Sequence, residues 1–254
     1  MQKKNFGIYN NILIVIPARM NSKRFPGKPL VKIDGKEMIK RTYEQCLLSG
    51  HPKKNIVVAT DSNKIASFCK KNFLNYKIIK SKCLTGTDRV LAISSLIKYK
   101  FYINIQGDEP IFNPSDIKKM VVSANKYPDK ILNGYTEIKN KNLFFNKNIP
   151  KVVFSQEKEL LYMSRQPIPS NAFLKNKKAY RQVCIYVYPI KLLNKFRKNK
   201  KTEFEFFEDI EILRFLELGI PVKMIKLSDR SIAVDIPSDV SKVEKFLNNN
   251  KNKH

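Results

Sequence analysis

Three short stretches of this chain carry residue types that handle phosphate and hard cations. The first is Pro17-Ala18-Arg19-Met20-Asn21-Ser22-Lys23-Arg24-Phe25-Pro26-Gly27-Lys28-Pro29-Leu30, directly behind the apolar run Ile12 to Ile16. Four cations, a serine and a glycine in one loop at the carboxyl end of a strand suit a polyphosphate. The spacing is neither GxxxxGK[ST] nor GxGxxG, so the two common phosphate loops are absent. The second stretch, Gln106-Gly107-Asp108-Glu109-Pro110, follows another apolar run; its glycine lets backbone approach a ligand and its carboxylates can hold a hard cation. In the third, Val234-Asp235-Ile236-Pro237-Ser238-Asp239, an acid is framed by apolar residues, and Ser238 or Asp239 is placed to cap a helix. Two acids and a basic loop at strand ends fit a metal-plus-triphosphate site, because Mg²⁺ is usually held by one or two carboxylates together with phosphate oxygens. Taken singly, the stretches also read as a solvated basic loop, an acidic turn and a helix cap.

The elements that must position these residues follow from hydrophobic periodicity. Ile12 to Ile16 reads as a buried parallel strand, Met38 to Leu48 as a helix ending at Ser49-Gly50, Asn55 to Thr60 as a second strand, and Asp61-Ser62 as the start of a helix through Phe68. Tyr102 to Ile105 is another short buried strand, with a helix from Pro114-Ser115-Asp116 through Ala124 behind it. The alternation predicts an α/β fold with a mostly parallel central sheet and helices on both faces. From 132 to about 200 the pattern changes to Lys/Asn loops between β-rich pieces such as Lys151 to Phe154 and Val183 to Tyr188, a segment expected to extend the sheet or make a subunit contact. Glu205 to Leu218 is expected to be one helix stopped by Gly219 and Pro221, with Phe206, Ile210 and Leu213 as its buried stripe and Glu208 and Glu211 paired to Arg214. Val222 to Leu227 completes the sheet, and residues from Asn248 on are expected to fray. The whole chain, 1 to 254, is read as a single domain.

Composition narrows the chemistry. The chain has 254 residues, with 49 Lys and Arg against 22 Asp and Glu, a formal charge of +27. Such a charge raises nucleic acid, membrane or phosphate as partners, but the lysines are scattered among asparagines rather than gathered into a stripe with interleaved aromatics, which disfavours nucleic acid. With only His51 and His254, a histidine-dependent hydrolase has almost nothing to work with. Cys46, Cys69, Cys83 and Cys184 are far apart and form no CxxC, so they read as reduced thiols of a cytoplasmic protein rather than a zinc site or a disulfide framework. No apolar run approaches the roughly 18 residues of a membrane span, and Ile12 to Ile16 suits a strand better than a signal core.

These residues resemble a known family. Ile16-Pro17-Ala18-Arg19 with Ser22 to Leu30, then Ala59-Thr60-Asp61, Thr85-Gly86-Thr87-Asp88-Arg89, Gln106 to Pro110, Ser164-Arg165, Ile185-Tyr186, Glu205 to Arg214 and Val234 to Pro237, in that order, resemble the 3-deoxy-manno-octulosonate (Kdo) cytidylyltransferases. The resemblance implies a CTP-dependent nucleotidyltransferase that joins CMP to an acid sugar, releases pyrophosphate and serves lipopolysaccharide synthesis. It implies Arg19, Ser22, Arg24 and Lys28 on the triphosphate and Thr85, Gly86 and Thr87 near the nucleotide. Lys28, Arg19 and Asp108 are implied as catalytic, with Asp108 and Asp235 as Mg²⁺ ligands. Gln106, Arg165, Tyr186 and Glu205 would lie around the sugar, where Arg165 suits the sugar carboxylate through a bidentate contact. The family is generally homodimeric, and the β-rich segment would contribute to the interface.

Two departures bear on the sugar. The family's Arg-His-x-Gly-Ile-Tyr segment reads Arg181-Gln182-Val183-Cys184-Ile185-Tyr186 here, and Ser81-Lys82-Cys83-Leu84 stands where an Asp-His pair is common. Gln182 can donate a hydrogen bond to a sugar hydroxyl but cannot carry a proton at neutral pH. The departures therefore leave open 8-amino-Kdo or another 2-ulosonic acid as the substrate. A different class of reading, a catalytically inactive basic module that binds RNA or lipid surfaces, is disfavoured by the intact Arg19, Lys28, Asp108 and Asp235.

Overall fold

The computed structural model describes residues 6–22, 24–81, 83–170 and 178–251. Lys23 of the basic loop, Lys82 and the tail residues 252–254 lie outside the described residues. In chain order the elements are α1 (Phe6–Tyr9), β1 (Ile12–Ala18), β2 (Lys32–Ile33), β3 (Lys36–Glu37), α2 (Met38–Leu48), β4 (Ile56–Thr60), α3 (Asn63–Lys71), β5 (Tyr76–Ile78), α4 (Gly86–Leu96), β6 (Phe101–Ile105) and α5 (Pro114–Lys126). There follow β7 (Ile131–Glu137), α6 (Lys141–Phe145), β8 (Lys151–Phe154), β9 (Leu160–Ser164), β10 (Tyr180–Pro189), α7 (Ile190–Arg197), α8 (Glu203–Glu208), α9 (Leu213–Glu217), β11 (Val222–Lys226) and α10 (Ser238–Lys251). They group into two compact units, one of residues up to Lys118 and from Arg230 onward, the other Lys119–Asp229. The β-rich segment expected over 132 to 200 is thus part of a larger second unit.

In the first unit β6, β1, β4 and β5 lie side by side in that order, all parallel. Every residue of β1, β4 and β6 is buried, as parallel strands covered on both faces require, and Ile14 sits opposite Ile56 on one side and Ile103 on the other. Successive strands β1, β4 and β5 advance in one direction, and β6 then returns to the far side of β1. The order in which strands are added therefore reverses between β1 and β6, and ligands of open α/β sheets bind outside the carboxyl ends of strands at such a point. Those two ends carry the basic loop and the Gln-Gly-Asp-Glu-Pro turn.

The expected tail is corrected. Instead of fraying from Asn248, α10 continues through Lys251, because Val240, Val243, Phe246 and Leu247 fall at helical spacing and pack on Ile33, Met38, Ile111 and Val234. His51 is part of the core: its Nε2 donates to the Ile12 carbonyl at 3.1 Å and its ring meets the edge of Tyr9 at 5.1 Å. Burial pushes its pKa down to about 4, against a weaker upward pull from the Ile12 bond. The unfolded chain then binds the extra proton first, so stability is lost as the pH falls from about 6.5 towards 4. Urea unfolding of wild type and His51→Gln over that range is expected to show a wild-type slope steeper by up to about 1.4 kcal/mol per pH unit. Equal slopes would contradict the buried neutral imidazole.

In the second unit β11 runs parallel to β7, β7 antiparallel to β10, β10 to β8 and β8 to β9. The single helix expected over 205 to 218 is corrected to two short ones. Asp209 adopts a left-handed backbone with φ 52° and ends α8 after Glu208. The break turns Phe206 to solvent at 68% exposure, while Ile210 and Leu213 are buried as expected. It also redirects the charges: Glu208 accepts from Ser164 Oγ and the Arg165 amide, and Arg214 pairs with Glu205 instead.

Candidate nucleotide site

The basic loop is shaped by its own backbone. Gly27, at φ 75°, donates to the Met20 carbonyl at 3.0 Å and accepts from Leu30, a conformation that L side chains rarely adopt and that starts the short turn Lys28–Leu30. Phe25 and Val31 on either side of it settle on the cluster of Ile33, Met38, Ile111, Val234 and Val243. That apolar floor gathers all three chemistry-bearing stretches. The Val234 amide donates to the Asp108 carbonyl at 2.9 Å, and Ile111 bridges Ile232 antiparallel, which aligns the turn with the Val234–Asp239 segment. Asp239 accepts from the amides of Asp235 and Ile236. Burial would raise its pKa, but these bonds and that from Lys242 outweigh burial and hold it below the usual carboxylate range.

Four charged side chains converge above the floor. Lys28 Nζ, on a side chain only 11% exposed, lies 2.6 Å from Asp108 Oδ2 and 3.6 Å from Asp235 Oδ1, and the Arg24 guanidinium lies 2.8 Å from the same Asp235 oxygen. The more open Arg24–Asp235 pair, with side chains 57% and 33% exposed, contributes about 1 kcal/mol or less. The apolar floor fixes the backbone from which all four side chains rise. Two carboxylates from separate stretches aimed at one cation are a donor set that suits a hard divalent ion shared with phosphate oxygens. Among the described residues no group of three or more His, Cys, Asp or Glu is placed to hold a metal ion. Arg19 is exposed and Ser22 half-buried on the same loop.

The turn after β6 depends on a glycine. A Cβ on Gly107 would stand 2.5 Å from the Pro17 carbonyl oxygen of β1, closer than such atoms approach. Gly107→Ala must push β6 from β1 where the reversal lies. The expected cost is about 1–3 kcal/mol of stability, with a turnover loss on the order of 10²-fold from displacing Asp108. Calorimetry and pyrophosphate release on the purified variant check both, and a variant equal to wild type in either would refute the constraint.

Beside this turn stands the start of α4. Thr85 caps it, accepting from the Asp88 amide, and Asp88 accepts from the amides of Leu84 and Thr85. A Cβ on Gly86 would lie 3.3 Å from Gln106 Nε2 and 3.5 Å from Asn104 Nδ2, so both amides crowd the helix N-terminus; Thr87 is buried one residue further on. Two residues of this neighbourhood were given no role by the sequence, although Arg89 belongs to one of its motifs. Asn104 is fully buried with neither amide atom hydrogen-bonded; its signal is a lone polar residue inside a buried strand. Arg89, also buried, holds Asp61 at 2.6 Å.

Within the second unit, Arg165 donates from Nε to the Glu208 carbonyl, from one terminal nitrogen to Lys147 and from the other to Asp209. These bonds use three of its five N–H donors and fix the guanidinium plane. Below it, Lys151 is fully buried and donates to the carbonyls of Asn146, Ile149 and Arg165; burial, helped by the Arg165 charge, pulls its pKa down to about 8. Glu205 spends both carboxylate oxygens on Arg214, at 2.5 and 2.7 Å. Gln182 donates to Asn133 and to the Tyr186 hydroxyl.

A parallel sheet with a basic loop and an acid pair at its reversal point defines an α/β nucleotide-binding protein. Residues 13–226 match the family model described as Cytidylyltransferase. The 3-deoxy-manno-octulosonate cytidylyltransferase of Protochlamydia amoebophila is 34% identical, covering 96% of this chain and 97% of its own length, and that of Zea mays is 33% identical over 97% and 84%. The solved structure of CMP:2-keto-3-deoxy-manno-octonic acid synthetase complexed with CTP superposes with a TM-score of 0.88 at 28% identity, covering 94% of this chain and 99% of that one. The chain belongs to the cytidylyltransferase family, among its 3-deoxy-manno-octulosonate members. No helix among the described residues is long and apolar enough to cross a membrane.

Proposed function

We propose that this chain transfers CMP from CTP to the anomeric hydroxyl of Kdo, giving CMP-Kdo and pyrophosphate for lipopolysaccharide synthesis. The observation that carries the reading is the convergence of Arg24, Lys28, Asp108 and Asp235 at the reversal of the parallel sheet. The anomeric hydroxyl releases its proton to solvent as its oxygen forms a bond to the α-phosphorus and the bond from that phosphorus to the bridging β-phosphate oxygen breaks, with negative charge growing on the phosphate oxygens and on departing pyrophosphate. Arg19, Arg24 and Lys28 meet that charge with fixed cations, and Ser22 adds a hydroxyl donor. Asp108 and Asp235 would hold Mg²⁺, which when bound neutralises phosphate charge and polarises the phosphoryl oxygens. Thr85, Gly86 and Thr87 keep their proposed place near the nucleotide, and Gln106 its place near the sugar. Arg165 is suited to the sugar carboxylate because its plane is already fixed, so little freedom is lost on binding.

The protein is proposed to act in the cytoplasm as a homodimer. Phe206 and Phe207, neighbours in α8, are 68% and 72% exposed, apolar side chains that a second copy would cover. Sedimentation at the mass of one 29.6 kDa chain would count against the dimer.

The test of function is pyrophosphate release with Mg²⁺ and CTP across Kdo, 8-amino-Kdo and N-acetylneuraminic acid, with ATP, GTP and UTP as controls. Turnover with CTP and Kdo is expected. Turnover with another 2-ulosonic acid alone would keep the chemistry and change the sugar, the alternative that the departures at Gln182 and Cys184 leave open. Silence with every sugar, together with tight and salt-sensitive RNA binding, would replace the enzyme by a binding module.

A further inference from the structure

Three segments lead into the amino ends of β4, β5 and β6 in the first unit: the short turn Lys53–Asn55, the last turn of α3 with residues 72–75, and residues 96–100. None of them contains Asp or Glu. Asn75 Nδ2 donates to the Lys53 carbonyl at 2.7 Å and the Tyr99 hydroxyl donates to Asn55 Oδ1 at 2.7 Å, so the segments form one rim. Lys53, Lys54, Lys70, Lys71 and Lys100 are exposed on it, none of them ion-paired among the described residues. Among these lysines stands Phe73. Its amide donates to the Lys70 carbonyl while the Leu74 amide donates to Cys69, a paired closure of α3 that sets Phe73 at a left-handed φ of 55°, where glycine is the usual residue. Phe73 is 79% exposed, so packing within the fold does not offset that backbone cost.

We propose that this rim docks the protein on an anionic phospholipid surface, its lysines against the headgroups and the Phe73 ring at the boundary between headgroups and acyl chains. Lysines scattered along the sequence are gathered here by the fold. They stand at strand starts rather than along the open edge of β5, so protection of that edge does not account for them. An exposed aromatic ring among lysines has the composition of an interfacial anchor. No arginine occurs between Arg41 and Arg89 or between Arg89 and Arg165, so the rim lacks the planar fork that reads bases or clamps single phosphates, and its diffuse charge fits a lipid surface better than a nucleic acid. The carboxylates Asp61 and Asp108 follow the opposite, carboxyl ends of β4 and β6. Docking by the rim therefore keeps those acids away from the anionic surface and leaves the nucleotide site facing solution.

The test floats the full chain with phosphatidylcholine vesicles, with and without phosphatidylglycerol, over a range of salt. Wild type is expected to bind only the vesicles that contain phosphatidylglycerol, and less as salt rises. The variant Lys53→Gln/Lys54→Gln/Lys70→Gln/Lys71→Gln is expected to weaken that binding by on the order of 10²-fold or more, since each lysine near an anionic surface contributes about fivefold. Phe73→Gly is expected to weaken it about tenfold, the worth of one buried aromatic ring, and to raise the melting temperature by about 2 °C because glycine takes the left-handed conformation without cost. A lower melting temperature in Phe73→Gly would give the ring a role in the fold and overturn the proposal. So would no binding of wild type to the anionic vesicles, equal binding to neutral ones, or either variant binding as wild type does. Salt-sensitive binding of a single-stranded RNA through the same lysines, with neither vesicle bound, would assign the rim to nucleic acid instead. Turnover is not read in any arm, so the outcome is independent of the proposed cytidylyl transfer.

Discussion

Asp108→Ala is expected to lower kcat/KM by on the order of 10³-fold or more while leaving the fold intact. The carboxylate lies at the carboxyl end of β6, 29% exposed, where it meets Lys28 at 2.6 Å; removing it opens no cavity in the core and strands no buried charge, since Lys28 keeps Asp235 at 3.6 Å. Its backbone contribution, the carbonyl that accepts from Val234, survives the substitution. Stability should therefore stay within about 1 kcal/mol of wild type. What is lost is half of the acid pair proposed to hold Mg²⁺ against the triphosphate, and Asp235→Ala should remove the other half with a similar effect. Pyrophosphate release at saturating Mg²⁺, read beside calorimetry, separates the two quantities. Near-normal turnover of either variant would refute the assignment of the acid pair, and a collapse of the melting temperature would move Asp108 from chemistry to architecture.

Glu205→Ala is expected to do the opposite, with a loss of about 3–5 kcal/mol in folding stability. Glu205 is 1% exposed and clasps Arg214 with both oxygens, while the Arg214 guanidinium carbon lies over Phe196 at 3.6 Å from the ring centre. Removing the carboxylate leaves a guanidinium buried among aromatic rings with its charge uncompensated. The same carboxylate closes the capping box of α8 on the Thr202 amide, and Glu217 caps that helix start on the amides of Phe204 and Glu205. Chemical denaturation measures the loss. If instead Glu205→Ala kept its stability and raised only the sugar KM, Glu205 would be the sugar ligand that the family pattern implies, and the Arg214 pair would be incidental.

Most of the first unit was legible from periodicity. The strands at Ile12, Ile56 and Phe101 and the helices at Met38 and Pro114 lie within a few residues of their expected places, because buried β-branched runs and capped amphipathic segments are local properties. The helix α3 begins after its Ser62 cap, which accepts from the Ile65 amide. The second unit was less legible. Asp209 breaks what reads as a continuous helix because Glu208 has partners at the end of β9, and no local pattern encodes that competition. The bulge in β10, where the register against β7 slips between Val183 and Tyr186, is equally silent in sequence, since a run such as Val183 to Tyr188 favours a strand with or without a slip.

What the sequence determined by itself was the chemical inventory: a basic loop behind a buried strand, two acids at other strand ends, and the ordered motifs of a cytidylyltransferase. Those are matters of residue type and spacing along the chain. Only the tertiary structure decided which charges meet, that Lys28 stands between Asp108 and Asp235, that Arg214 belongs to Glu205, and that Gln182 faces Tyr186 through an amide shared with Asn133. The partners in these contacts are separated by 80 or more residues for Lys28 and Asp108 and by only 4 for Gln182 and Tyr186. Sequence distance does not set which groups meet, because strand order, a bulge and an apolar floor choose the geometry, and most buried donors and acceptors must find partners within it.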